Sequence, residues 1–159
     1  MNKIDYLEKE LARLLGWVQS ADTRVALVLP LSTAMLGTLA FLAPDIDKWC
    51  ISSAIITALA SILLVLSIVC LAFASFPRTS GPKGSLIFFS GIKDKEIKQY
   101  SDSITSMDEN SYINDLINQC HINAQIADTK FTWVKRSLVC LFVSSLPWFL
   151  SIYMLYGMK

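Results

Sequence analysis

Charged side chains are scarce in this chain, and three long stretches contain none at all. Asp, Glu, Lys and Arg make up 17% of the 159 residues, whereas 53% are hydrophobic. Soluble globular domains carry about one quarter charged residues. The shortage argues against an ordinary water-soluble domain and indicates a protein for which lipid is part of the solvent.

The residue types that carry most enzyme chemistry are few or unsuitably spaced. There is one histidine, His121, and the four cysteines show neither a CxxC pair nor a zinc-type spacing. No GxSxG, HExxH or Walker-type sequence is present. We therefore expect no enzymatic activity, no metal site and no cofactor, and we interpret the cysteines as small apolar residues.

Three charge-free stretches dominate what is present. They cover residues 25–43, 49–76 and 137–157, with lengths of 19, 28 and 21 residues. A helix of 19 residues rises about 28 Å, close to the ~30 Å hydrocarbon core of a bilayer. Since only residues 44–48 separate the first two, these two form an antiparallel hairpin. The sequence predicts an all-α membrane protein with three transmembrane helices.

The distribution of basic residues predicts the orientation of the chain. Twelve of the 14 lysines and arginines precede the first span or lie between the second and third, and only Lys48 and Lys159 fall elsewhere. Basic residues are retained on the cytoplasmic side of membrane proteins. The N-terminus is therefore expected in the cytoplasm and the C-terminus on the opposite, non-cytoplasmic side of the membrane.

The segments between the spans predict a cytoplasmic helical region. Apolar residues recur at helical spacing from Ile4 to Val18, and a second helix is predicted from about Glu109 into the third span. We expect four parts: residues 1–24 as a cytoplasmic amphipathic helix, 25–76 as a transmembrane hairpin, 77–136 as a cytoplasmic segment and 137–159 as the third transmembrane helix. The stripe from Ile4 to Val18 suits packing on the helix at 113–134 or on another copy.

A near-repeat marks the membrane end of both cytoplasmic helices. The sequence Ala-Asp-Thr-Arg ends at Arg24, and Ala-Asp-Thr-Lys ends at Lys130. Two interpretations are open: chance similarity of two amphipathic helices, or equivalent polar clamps at the membrane surface.

The second span carries small polar residues at every fourth position. These are Ser53, Thr57 and Ser61. They suit close packing between helices or a weakly polar lining for an ion path. No span carries an ionisable residue, which argues against a proton-coupled transporter. Three helices cannot enclose a pore alone, so a pore requires an oligomer.

Basic and aromatic residues concentrate in the segment before the third span. Basic groups attract phosphate and aromatic faces stack on bases, so we take these residues as candidate nucleotide ligands. A basic patch against anionic lipid is the other interpretation. The candidates are Arg78, Lys83, Phe88, Phe89, Lys130 and Trp133.

Nearly the whole chain resembles the membrane module of Pycsar-type effectors, a transmembrane effector family of bacterial anti-phage defence. The resemblance rests on the hairpin of spans and on three groups of residues. Those groups are Leu14 to Trp17 with residues 21–24; Leu86 to Ile92; and Tyr112, Asp115, Leu116, Gln119, His121, Ile126, Ala127, Lys130 and Trp133 to Arg136. One departure is Ser90, which stands where a glycine is expected after the paired aromatics, with Gly91 following.

The resemblance implies a toxic membrane protein whose activity is controlled by a ligand. Residues 77–136 would sense a cyclic nucleotide or short oligonucleotide made by a partner nucleotidyltransferase. The spans of a homo-oligomer would act as an ion channel that permeabilises the bacterial inner membrane in abortive infection, and the ligand would either open this assembly or hold it shut. No appended cyclic-nucleotide domain is expected, and a small effector of this type resembles the membrane partner in two-component defence operons such as Hailong. The alternative is a membrane anchor that recruits a cytoplasmic partner without forming a pore.

Overall fold

Every element in the described part of the chain is a helix. The computed structural model describes residues 2–76 and 85–158. Its helices are α1 (Lys3–Leu42), α2 (Ile51–Ser75), α3 (Phe89–Lys93), α4 (Ile97–Thr105) and α5 (Glu109–Tyr156). Three of them, α1, α2 and α5, are long and apolar enough to cross a membrane. The prediction of an all-α membrane protein with three spans is confirmed.

The two longest helices each join a polar segment to a span without a break. α1 runs for 40 residues and α5 for 48, each with one internal proline. Proline removes the backbone donor for the carbonyl four residues earlier, which membrane helices tolerate. The hydroxyls near the two prolines bond back to their own helices, Thr33 Oγ1 donating to the Pro30 carbonyl at 2.9 Å and Ser151 Oγ to the Pro147 carbonyl at 2.7 Å.

The chain divides into two compact units, and α1 and α5 contribute residues to both. The first contains residues 2–20 and 85–129, and the second contains residues 21–76 and 130–158. The boundaries predicted after residues 24 and 136 fall inside α1 and α5, which continue through them.

In the first unit, the apolar stripe of α1 packs on α5. Leu14 and Leu116 are buried. Cys120 Sγ lies 3.7 Å from the Leu7 carbonyl, and the Tyr112 hydroxyl donates to Glu8 Oε1 at 2.7 Å. Of the two predicted roles for the Ile4–Val18 stripe, the structure therefore shows packing within the chain.

The second unit is a bundle of three helices with heptad-like packing. Its buried residues recur at alternating spacings of three and four, which is the pattern of helices wound gently around one another. On α2 the fully buried positions after Ser53 are Ala60, Leu64, Ser67, Leu71 and Ala74. The buried seam of α5 combines serines and leucines, at Ser137, Leu141, Ser144, Ser151 and Leu155. The small serines allow the helices to approach closely.

Candidate functional site

The segment before α3 is fastened to α5 by one carboxylate and one hydroxyl. Asp115 Oδ2 accepts from Ser85 Oγ at 3.0 Å and from the Leu86 N–H at 2.9 Å. The buried Ser85 Oγ also lies 3.1 Å from Gln119 Nε2 and accepts from the Phe88 N–H at 3.0 Å. The side chains of Asp115 and Gln119, both on the long helix α5, therefore hold the backbone of this loop in position.

Gly91 is required because the backbone of the same loop turns back close to the Ser85 carbonyl group. A Cβ atom at this position would lie 2.3 Å from the Ser85 carbonyl oxygen. No side chain fits at that distance without moving the backbone. The glycine expected after the paired aromatics therefore stands one position later here, where the loop needs it.

The fastened loop presents a pair of aromatic rings. The centroids of Phe88 and Phe89 lie 4.5 Å apart with the rings tilted by 45°. Phe88 is half-buried, whereas Phe89 is 59% exposed. The Tyr100 hydroxyl on α4 donates to the Leu86 carbonyl at 3.3 Å and braces the loop from a second helix. An exposed ring on a rigid support is suited to stacking on a base or an apolar partner.

Lys130 and Trp133, two further predicted ligands, lie in the second unit and are already engaged there. Lys130 is buried and forms an ion pair with Asp22. Trp133 stacks on Phe73 with centroids 4.9 Å apart, and the Arg136 guanidinium lies 4.7 Å from the Trp133 ring centroid. Phe88 and Phe89 belong to the first unit. The last two candidates, Arg78 and Lys83, lie outside the described residues.

The near-repeat forms an ion pair between its two copies. Asp22 of the first copy bonds to Lys130 of the second. Arg24, the basic residue of the first copy, instead lies 5.2 Å from the Phe131 ring centroid. The copies therefore differ in their contacts, and their complementarity links α1 to α5 within the second unit.

The predicted pore-lining residues of α2 lie partly inside the bundle of the single chain. Ser53 is fully buried and donates to the Cys50 carbonyl at 2.8 Å. Thr57 Oγ1 is buried and has no hydrogen-bond partner among the described residues. Ser61 is half-buried. Their role as pore lining stays a prediction.

Sequence reasoning missed a hydroxyl cluster that joins all three spans. Ser32 Oγ of α1 lies 3.3 Å from Ser67 Oγ of α2, which lies 2.8 Å from Ser137 Oγ of α5. All three residues are fully buried. The sequence signal was the recurrence of serine at 137, 144 and 151, every second turn of α5. Periodicity on one helix does not show which serines of the other two helices face it, so the cluster does not follow from the sequence.

Comparisons with known proteins agree with this architecture. The family model described as a Pycsar effector protein domain matches residues 6–157. The chain is 28% identical over 145 residues to Pycsar effector protein PtPycTM of Propioniciclava tarda, covering 80% of this chain and 71% of that protein. It is 28% identical over 64 residues to Pycsar effector protein GmPycTM of Gulbenkiania mobilis, covering 40% and 33%.

No solved structure matches the chain significantly. The family match spans all three candidate spans and the fastened aromatic loop. The expected family resemblance is thereby confirmed. The chain belongs to the Pycsar effector family, the transmembrane effectors of bacterial anti-phage defence.

Proposed function

We propose that this protein is a nucleotide-controlled, homo-oligomeric effector that permeabilises the bacterial inner membrane during anti-phage defence. The observation that carries the proposal is the family match over residues 6–157. The architecture supports it, because three spans with charge-free interiors provide a membrane element without catalytic or transport machinery. A permeabilising protein needs little more than an assembly that can open.

The controlling ligand is a cyclic nucleotide or short oligonucleotide made by a partner nucleotidyltransferase. Phe89 supports base recognition, since it is exposed and its loop is fixed by Asp115. Lys130 supports phosphate recognition only if the phosphate displaces the carboxylate of Asp22. Such an exchange would give the ligand different affinities for two states of the protein, which any ligand needs in order to shift a conformational equilibrium.

The proposed orientation places the N-terminus in the cytoplasm and the C-terminus in the periplasm. Twelve of the 14 basic residues then lie at the cytoplasmic surface. Labelling of a C-terminal tag by a membrane-impermeant reagent on intact spheroplasts checks this orientation. Labelling that requires detergent would reverse it.

The pore is proposed to form between copies, with Ser53, Thr57 and Ser61 as its candidate lining. The interior of one chain is filled by packed side chains such as Leu64 and Leu71, which are fully buried. Opening would therefore rearrange copies or rotate helices. Moving such a pore from 1% to 99% open takes roughly 5.5 kcal/mol of differential binding, which several ligands on one oligomer can share.

Dye leakage from liposomes, with and without candidate cyclic nucleotides, tests the proposal. We expect leakage to depend on nucleotide, and we expect Phe89→Ala to raise the nucleotide concentration needed for half-maximal effect by roughly tenfold, since base stacking contributes about 1–3 kcal/mol. The matched control is Ile97→Ala, because Ile97 is an equally apolar residue of the same unit and is 90% exposed.

Each outcome of the leakage assay distinguishes one part of the proposal from its alternative. Leakage that no nucleotide changes would refute nucleotide control. An absence of leakage from oligomeric protein under every condition would favour the membrane anchor. An equal response of the two variants would remove Phe89 from the ligand site.

A further inference from the structure

An apolar groove opens between α2 and α5 in the second unit. Its cavity has a volume of about 560 Å³. Its apolar walls are formed by Leu66 and Cys70 of α2 and by Val139 and Cys140 of α5, and Thr132 of α5 adds one polar group. The four apolar residues lie within the charge-free stretches of the two spans. The walls of the groove therefore suit a hydrocarbon chain.

Two basic residues close one end of the groove. Lys135 and Arg136 line the cavity and are both exposed. They lie near the middle of α5, directly before its charge-free stretch at residues 137–157, so they lie where a span meets the headgroup region. The guanidinium of Arg136 is held over the Trp133 ring at 4.7 Å, which limits the directions in which it can move.

No acidic residue lines this groove, and neither base forms an ion pair within the described ranges. The ion pairs of residues 2–76 and 85–158 involve Arg13, Lys48 and Lys130. α2 contains no acidic residue. The closest carboxylate along α5 is Asp128, seven positions before Lys135, which is about 10 Å along the axis. The positive charge at the head of the groove is thus not neutralised by the groove itself.

We propose that this groove is a binding site for an anionic phospholipid. The phosphate of the lipid binds Lys135 and Arg136, and one acyl chain lies along Leu66 and Val139. Charge complementarity selects the headgroup, because basic pockets between transmembrane helices bind acidic headgroups. The apolar walls beside the two basic residues favour a lipid over a soluble phosphate compound. Arg136 contacts Trp133, one of the candidate nucleotide ligands, but none of the candidate nucleotide ligands that the structure describes lines the groove, so the proposal does not depend on nucleotide binding.

Native mass spectrometry of the full chain released from detergent tests the proposal, with phosphatidylglycerol and phosphatidylcholine as probes and no nucleotide present. We expect preferential retention of phosphatidylglycerol. The double variant Lys135→Gln/Arg136→Gln should lose roughly tenfold or more in apparent affinity, since each base near the surface contributes a several-fold effect. The matched control Lys93→Gln/Lys98→Gln removes the same charge from exposed positions of the first unit and should retain the lipid.

A third variant separates a built groove from diffuse attraction. Val139→Trp keeps the charges of Lys135 and Arg136 but fills the groove. It should therefore lower phosphatidylglycerol retention as far as the double charge variant does. Equal retention of both lipids by the unaltered protein would overturn the proposal. So would a loss of retention in the Lys93/Lys98 control that matches the loss in the Lys135/Arg136 variant, or full retention in Val139→Trp. Displacement of the bound lipid by a soluble nucleoside triphosphate would also overturn it, because it would show that Lys135 and Arg136 bind a nucleotide.

Discussion

The position of the candidate ligands Phe88 and Phe89 depends most on Asp115. One of its carboxylate oxygens accepts hydrogen bonds from both the Ser85 hydroxyl and the Leu86 N–H. Hydrogen bonds to an ionised group contribute more than those between neutral groups. The position of the Phe88–Phe89 pair therefore follows from a side chain on α5, outside the loop that carries the pair.

Replacing Asp115 should release the loop while leaving the spans in place. We expect Asp115→Ala to lower the free energy of unfolding in detergent by about 2 kcal/mol, since two charge-assisted bonds are lost. Hydrogen exchange should quicken at residues 86–92 and stay slow in α2. The neighbouring Asn114→Ala changes an exposed side chain and serves as control. Unchanged exchange in residues 86–92 would show that the loop is held by other contacts.

The two glycines in the first unit should respond to alanine in opposite ways. Gly91→Ala places a methyl group 2.3 Å from a backbone oxygen and should destabilise the loop. Gly16 lies within α1 with open space around its Cβ direction, so Gly16→Ala should stabilise the protein by about 0.5–1 kcal/mol through helix propensity. Thermal unfolding in detergent measures both. A Gly91→Ala protein as stable as the unaltered one would contradict the close approach.

At the scale of elements, α1 and α5 are the main organising helices of the fold. In the first unit they are joined by the bond from Tyr112 to Glu8, and in the second by the ion pair of Asp22 with Lys130. α2 enters the second unit through the serine cluster, in which Ser67 is the central member. Each contact joins residues far apart in sequence, so each helps to fix the register of one helix against another.

The Tyr112–Glu8 bond should show a distinct pH dependence. The pKa of Tyr112 is raised because its hydroxyl donates to the Glu8 carboxylate and because the ring is partly buried. A raised folded-state pKa gives stability that is complete below the unfolded value near 10 and is lost as pH rises through the folded value. Tyr112→Phe should therefore unfold more easily at pH 7, and the difference from the unaltered protein should shrink as the pH rises from about 10 through the raised folded-state pKa. A difference that is constant across this range would contradict the bond.

The serine cluster should contribute measurably to packing of the three spans. Ser67→Ala removes the central hydroxyl and should cost about 1 kcal/mol in detergent, given about 0.6 kcal/mol for an average bond between transmembrane helices. Ser52→Ala removes an exposed hydroxyl at the start of the same helix and should cost little. Thermal unfolding of the two variants gives the comparison. Equal stabilities would show that the cluster merely fills space.

At the scale of the whole molecule, the sequence predicted the elements better than their contacts. The three spans and the start of α5 at Glu109 followed from charge-free stretches and apolar spacing, which are local properties of the chain. α4 was not predicted, because its nine residues are largely polar and show only a short apolar pattern.

The candidate site was harder to predict, because its geometry depends on contacts between distant residues. The aromatic pair was identified by residue type, but its support by Asp115 joins positions 29 residues apart. The charge of Lys130 makes it a candidate phosphate ligand, and only the fold shows that Asp22, 108 residues away, already pairs with it. Residue type thus indicates which chemistry is available, whereas packing decides which groups are free to use it.

The most direct test of the account is potassium efflux from proteoliposomes that contain only this purified protein, measured across a titration of cyclic nucleotides. The account predicts that efflux changes saturably with at least one nucleotide and that it rises more steeply than linearly with the amount of protein reconstituted, because the pore forms between copies. Efflux that is absent throughout, or that is present and indifferent to every nucleotide, would contradict it.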